Sequence, residues 1–464
     1  MSEHEALAAA YGAARAYLNH LPDAPVGSAA TPQALHAALG GPLPEHGHDP
    51  ATVVRELARG AGPGLVASAG PRYFGFVIGG GLPAALAADW LTSAWDQNAG
   101  LYVESPAASV VEEIAAAWLL DLFGLPATAS VGFVTGCQMA NFTCLAAARR
   151  GVLLRAGWDV EDRGLHGAPA VNVIVGDLAH VTVFAALQLL GLGAGSARRV
   201  ATDGQGRMQP DALRSALEHA KGPTIVCAQA GEVNTGSFDA FEEIGAITRE
   251  RGAWLHVDGA FGLWAAASPG RRHLLAGVER ADSWATDAHK WLNVPYDSGL
   301  AIVRDPALHK AAMTLSAAYL VAGGAGRRDP TDYTPEASRR ARGFAIYAAL
   351  RSLGRRGVAD LVDRCCELAR LMADRLRGGE GVEILNEVVL NQVLVRCGAS
   401  TPRVIARVQE EGTCWLGGTT WQGAPAMRIS VSNWSTTPAD IERSAAAIRS
   451  AAQEHATSSL PDGA

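Results

Sequence analysis

The chain has 464 residues, a formal net charge of −7 and a pI near 6.0, with 48% hydrophobic and 18% charged residues. At about 150 residues per domain this suggests two to three domains, and the composition is too apolar for a disordered chain. An acidic balance argues against nucleic acid or a membrane surface as partner. No apolar run is long enough to span a bilayer, and the opening MSEHEALAAAYGAARAYLNH lacks the basic-then-apolar order of a signal peptide. Seven cysteines without a CxxC do not make a disulfide framework. A reduced, cytoplasmic protein is expected.

In chain order, the first 75 residues read as an Ala-rich helical segment broken by GGPLPEHGHDP. From about residue 130, short apolar runs alternate with amphipathic ones: VGFVTG before NFTCLAAARR, VNVIVGD before VTVFAALQLL, then PTIVCAQAG, AWLHVDGA, DSWATDAHK and GLAIVRD. Such alternation predicts a mostly parallel sheet covered by helices on both faces. A long helix is expected over 335–376, followed by VEILNEVVLNQVLVRCG, a helix near 401–412, MRISVSN and a last helix near 437–453. Three regions are therefore expected: an N-terminal helical segment (1–75), a large α/β domain (76–350) and a small C-terminal α+β domain (351–464). The stretch 320–336, with its glycines, charges and two prolines, reads as an exposed mobile loop.

Several common motifs are missing. There is no P-loop lysine, no GxGxxG, no HExxH and no GxSxG. His46 and His48 sit in a Pro/Gly-rich loop that reads as solvated, so no metal site is expected. The lysine count is more telling, because only Lys221, Lys290 and Lys310 occur among 39 basic residues. Lysine can form an imine and arginine cannot. Lys221 in EHAKGP suits a helix C-terminus, and Lys310 in DPALHK suits a surface helix. Lys290, in WATDAHKWLNVPYDSG, follows a buried strand and has no comparable structural explanation. Asp258 ends WLHVDGA, where it serves either a ligand crevice or the cap of the next turn. His180 follows VNVIVGDLA, and Gly136 opens a helix whose Cys137 and Gln138 amides can hold an anion. Together, an anion cradle, an imidazole, a carboxylate and a lysine at strand ends are what pyridoxal phosphate requires.

The stretches GFVTGCQMANFTCLAAARR, GDLAHVTVFAA, GSFDAFEEI, WLHVDGAFG, HLLAGVERADSWATDAHKWLNVPYDSG and TDYTPEASRRARGFAIYAALRSLG resemble the group II pyridoxal-phosphate-dependent amino-acid decarboxylases, a family with the aspartate aminotransferase fold (fold type I). The likeness runs from about residue 71 to 355. It implies that Lys290 forms the internal aldimine with the cofactor, Asp258 pairs with the pyridine nitrogen, His180 stacks on the ring and Ala260 packs beneath it. His289, Asp287 and the Gly136–Cys137–Gln138 turn would serve the phosphate. Tyr333 would return a proton to the quinonoid after carbon dioxide leaves.

The resemblance thus implies decarboxylation of an L-amino acid to the amine. The runner-up is another reaction of the same cofactor: transamination, oxidative decarboxylation or carbon–carbon cleavage. Arg428 in MRISVSN is the residue to watch for transamination. A relic that binds the cofactor without catalysis is the remaining alternative. Glu232, where the family often has threonine, and the eleven tryptophans point towards an aromatic rather than an acidic substrate, with small aliphatic amino acids as a further alternative. The resemblance also implies a homodimer with its active site at the subunit interface and the 95–106 segment near the partner's phosphate.

Overall fold

The computed structural model describes residues 3–315 and 326–457, so the first part of the expected 320–336 loop lies outside the described residues. The chain divides into two compact units, one made of Met1–Ile78, Leu371–Leu385 and Leu394–Ala464, the other of Gly79–Arg370 and Asn386–Val393. The N-terminal residues therefore share a unit with the C-terminal ones rather than standing alone. Arg72 supplies one reason. Its fully buried guanidinium donates to the carbonyls of Pro22 and Ala24, both at 3.0 Å, and to that of Thr413. The Phe74 amide and carbonyl bond Trp415 and Ser430 at 2.8 and 2.9 Å.

The larger unit holds a seven-stranded sheet: β1 (Ser130–Val134), β2 (Asn172–Gly176), β3 (Arg198–Val200), β4 (Thr224–Gln229), β5 (Trp254–Asp258), β6 (Ser283–Asp287) and β7 (Gly299–Val303). Their order is β1-β7-β6-β5-β4-β2-β3, and β7 alone runs against its neighbours. β1, β4, β5, β6 and β7 are buried at every residue, as a sheet covered on both faces requires. The six strands anticipated from apolar runs are all present. The three-residue β3, RRV, is too short and too polar to show in periodicity.

The 335–376 helix starts later than expected, at Gly343, and is broken at Gly354 (φ 62°, ψ 177°). Residues 334–342 stay non-helical because their polar groups are committed elsewhere. The Arg339 amide donates to Asn98 Oδ1 at 3.0 Å, its carbonyl accepts from Ala99, and its buried guanidinium pairs with Glu112 at 2.7 Å. A buried charge that lost such a partner would cost several kcal/mol, roughly 3–5, which outweighs local helix propensity.

The smaller unit holds the N-terminal helices Glu3–His20, Pro32–Leu39 and Pro50–Ala61 and the C-terminal helices Thr401–Glu411 and Pro438–Thr457. The second sheet has the order β10-β11-β9-β8, from β8 (Glu383–Ile384), β9 (Gln392–Arg396), β10 (Gly417–Trp421) and β11 (Ala424–Ser430). In this unit Trp415 stacks on Tyr73 with ring centroids 4.9 Å apart, and the exposed Phe76 lies on Trp415 at 5.3 Å.

Candidate active site

The carboxyl ends of β1, β2, β5 and β6 lie at one edge of the sheet, where open α/β proteins bind ligands. Because β7 is reversed, its first residue joins them: Gly299 pairs with Val134 on one side and Asp287 on the other. A Cβ on Gly299 would fall 2.5 Å from the Gly136 backbone. One on Gly136 would fall 3.1 Å from His289 Cε1 and 3.3 Å from Asp287 Oδ1. Glycine at both positions lets three strand ends close on one another.

Asp287 sits at the centre of this cluster and is almost completely buried. Its Oδ1 accepts the Cys137 amide at 2.5 Å, at the start of the helix Cys137–Arg155, which no local side chain caps. A carboxylate at a helix N-terminus is favoured by both the unpaired amides and the macrodipole. Asp287 Oδ1 also faces His289 Nε2 at 3.3 Å, while Oδ2 meets Lys290 Nζ at 2.8 Å. The Ser298 amide donates to His289 Nδ1 at 3.1 Å. The neutral ring therefore carries its proton on Nε2, directed at Asp287. Burial lowers the His289 pKa despite the opposing pull of Asp287, which keeps the ring neutral. Tyr296 stacks on that ring at 4.3 Å.

Lys290 Nζ is mostly buried, with the side chain 19% exposed. Burial alone would lower its pKa. The carboxylate of Asp287, with smaller contributions from Cys137 and Asp258, outweighs burial and raises it. The main chain at Lys290 is also clasped. Gly79 approaches so closely that a Cβ would lie 2.0 Å from the Lys290 carbonyl oxygen, and Asn293 Oδ1 accepts the Gly80 amide at 2.6 Å.

Asp258 ends β5. Its Oδ1 accepts the Ala260 amide at 3.1 Å and the Cys137 thiol at 3.4 Å, and its Oδ2 accepts Asn141 Nδ2 at 3.2 Å. It thus caps its own turn as well as facing the site. Burial, followed by the Asp258 charge, pushes the Cys137 thiol well above its ordinary range. Ala260 lies between the two carboxylates, since its carbonyl accepts the Asp287 amide at 2.9 Å. His180 starts the helix Val181–Leu189, with Nδ1 2.8 Å from Thr182 Oγ1. Gln138 is exposed.

These residues fit the cofactor. A lysine, a buried carboxylate, an imidazole and a helix start stripped of side chains at Gly136 are gathered within one unit. The fit has one peculiarity, which is that Asp287 already occupies the helix start where a phosphate would bind.

Some expected residues lie elsewhere. The Tyr333 ring packs edge-on against His309, with centroids 5.3 Å apart, and beneath the Arg328 guanidinium at 4.0 Å. Its carbonyl accepts from His309 Nε2 at 3.1 Å. These contacts hold it on the flank of β1, at Gly132. Arg428 lies on β11 in the other unit, opposite Gly417. Glu232 is buried and saturated by its own turn: it accepts from the amides of Asn234 and Thr235 and from the Asn234 and Thr235 side chains. Its carboxylate is therefore no filter against acidic substrates. Lys221 is exposed, and Lys310 is paired with Asp332. Asn141 and His256, which sequence reading overlooked, lie immediately behind Asp258. The one available signal was a histidine inside the otherwise apolar run WLHV.

A lysine, a carboxylate and an imidazole at the strand ends of this fold define a pyridoxal-phosphate-dependent enzyme. Residues 32–397 match the pyridoxal-dependent decarboxylase conserved domain, and the chain belongs to that family. It is 27% identical to the aromatic-L-amino-acid decarboxylase of Bacillus atrophaeus over 387 residues, 82% of this chain and 78% of that one. It is 30% identical to the acidic amino acid decarboxylase GADL1 of Bos taurus over 325 residues, 68% of this chain but only 61% of that protein. The L-2,4-diaminobutyrate decarboxylase of Rhizobium meliloti is 29% identical over 429 residues, covering 89% of this chain and 84% of that one. The structure of Oryza sativa TDC with PLP and tryptamine superposes with a TM-score of 0.90 at 24% identity, over 97% of this chain and 98% of that one, and shows the shared fold. The chain is accordingly a pyridoxal-phosphate-dependent carboxy-lyase acting on an amino acid.

Two predictions follow from the site. Asp287→Asn removes the charge that holds Lys290 protonated, so more free amine is present at neutral pH. Imine colour on mixing with pyridoxal phosphate should then appear faster, by about tenfold at pH 7 for each pKa unit lost, and its pH midpoint should move down in stopped-flow absorbance. Tyr333→Phe should shift products from amine towards aldehyde by mass spectrometry, and an unchanged ratio would remove Tyr333 from the proton-donor role.

Proposed function

We propose that the enzyme removes the α-carboxylate of an L-amino acid, preferring an aromatic side chain, and releases the amine. The observation that carries this reading is the convergence of Lys290, Asp258 and His180 on one sheet edge beside the helix start at Cys137. Bound pyridoxal phosphate supplies the electron sink that takes up the pair left when carbon dioxide departs. Lys290 Nζ is the amine that holds the cofactor, and its proton is shared with Asp287 Oδ2. Asp258 offers a buried carboxylate to a ring nitrogen. His180, held by Thr182, offers a flat imidazole face. The Tyr296 ring on His289 shields that edge from water.

The aromatic preference is supported by the likeness to the aromatic-L-amino-acid decarboxylase of Bacillus atrophaeus, 27% identical over 82% of this chain. A transaminase reading has no comparable support.

We further propose a cytoplasmic homodimer in which the 95–106 segment approaches the partner's cofactor phosphate. Leu91 and Trp95, one turn apart on the helix Pro83–Trp95, are exposed, as are Trp90, Val103 and Val110. Apolar surface of this kind marks association. All seven cysteines are free and buried, which suits a reducing compartment.

Cofactor-loaded protein given a pool of L-amino acids should yield an aromatic amine and carbon dioxide by mass spectrometry. A keto acid or an aldehyde would overturn the reaction, and a non-aromatic amine only the preference. Lys290→Ala should abolish the imine colour, whereas Lys221→Ala and Lys310→Ala retain it. Light scattering should report twice the 48.2 kDa chain mass; an active monomer would sink the dimer.

A further inference from the structure

Behind Asp258 runs a chain of hydrogen bonds among residues with almost no solvent exposure: Trp254, Ser283, His256 and Asn141. Its direction can be worked out from either end. Asp258 can only accept, so the Asn141 amide turns its Nδ2 to Asp258 Oδ2 (3.2 Å) and its Oδ1 to His256 Nε2 (2.9 Å). His256 must therefore carry its proton on Nε2 and accept on Nδ1 from the Ser283 hydroxyl at 2.9 Å. From the far end, the Trp254 indole can only donate. It does so to Ser283 Oγ at 2.9 Å, which leaves the serine proton for His256. Both ends require the same tautomer. Burial drives the His256 pKa down to about 4 against the opposing pull of Asp258, so the ring is neutral throughout the working range.

The chain also branches. Asn141 Nδ2 lies 3.4 Å from Thr182 Oγ1, which is 2.8 Å from His180 Nδ1. The Thr182 amide also approaches His180 Nδ1, at 3.4 Å. With the amide as donor, His180 Nδ1 is an acceptor, so the threonine hydroxyl receives from Asn141 and donates to His180. His180 in its neutral form would then carry its proton on Nε2.

We infer that Asn141 is a positioning residue, held in register by His256, that aims Asp258 and sets the His180 tautomer through one amide. This rests on the assignment of Asp258 and His180 to the cofactor. The alternative is that Asn141 and His256 are merely satisfied core residues. That alternative predicts a change in stability with no selective effect on the site.

The test is pyridoxal phosphate affinity, measured by absorbance titration of cofactor-stripped protein, together with kcat and KM of the reloaded enzyme. Asp258→Asn serves as reference. Asn141→Leu, near in volume but without donors, should weaken cofactor affinity by about tenfold or more, as expected for a hydrogen bond to a buried charge. It should also lower kcat more than it changes KM. His256→Phe should act in the same direction, and His256→Gln, which can return a donor towards Asn141 Oδ1, should recover most of the loss. Thr182→Val, which cuts only the branch to His180, should leave cofactor affinity within about threefold while lowering kcat. Wild-type affinity and kcat in Asn141→Leu, or equal losses in His256→Phe and His256→Gln, would overturn the inference. If Asp258→Asn also leaves affinity unchanged, the site assignment itself fails; if it weakens binding while Asn141→Leu does not, only the positioning role falls. Should Asn141→Leu not fold, the comparison of His256→Gln with His256→Phe decides alone.

Discussion

The site is organised around one buried carboxylate with three claims upon it. Asp287 caps the helix Cys137–Arg155, receives the His289 imidazole and neutralises the Lys290 ammonium. A charge this deeply placed is tolerable only when its partners are in position. The need to satisfy it therefore constrains everything near it: bare glycine at Gly136 and Gly299, the reversed strand that brings Gly299 alongside, and the helix start facing Lys290. On the proposed reading, a phosphate at this helix start would share the Cys137 amide with Asp287.

The second carboxylate is handled differently. Asp258 is met by uncharged donors: an amide, a thiol and the carboxamide of Asn141. One acid is matched to a cation it can release, while the other is held in place by fixed dipoles. Two chemically identical side chains on adjacent strands thereby acquire distinct tasks from their neighbours.

Much of this was legible in the sequence. Alternating apolar runs marked six of the seven strands, and the scarcity of lysine drew attention to Lys290, which the structure buries beside Asp287. Other features could not be read in this way. Non-helical residues before Gly343 follow from Arg339 finding Glu112 and Asn98 far back in the chain, a distant pairing that local propensity cannot reveal. Sharing of a compact unit by the N- and C-terminal residues rests on Arg72 reaching carbonyls on both sides. Glu232 looked like a charge facing the substrate because its type was visible and its four donors were not. Tyr333 was placed by motif likeness, while its position depends on His309 and Arg328.

The reversed strand also bears on the order of assembly. Lys290 sits in a short connection between β6 and β7, antiparallel neighbours that can pair as a local hairpin, with little chain entropy lost in closing it. The Cys137 amide reaches the same place across 150 residues. The lysine loop can thus form early, whereas the anion cradle exists only once β1 has docked against β7. A nascent chain can therefore pair Lys290 with Asp287 before the helix start at Cys137 arrives, and the completed cluster becomes a late signature of a finished sheet.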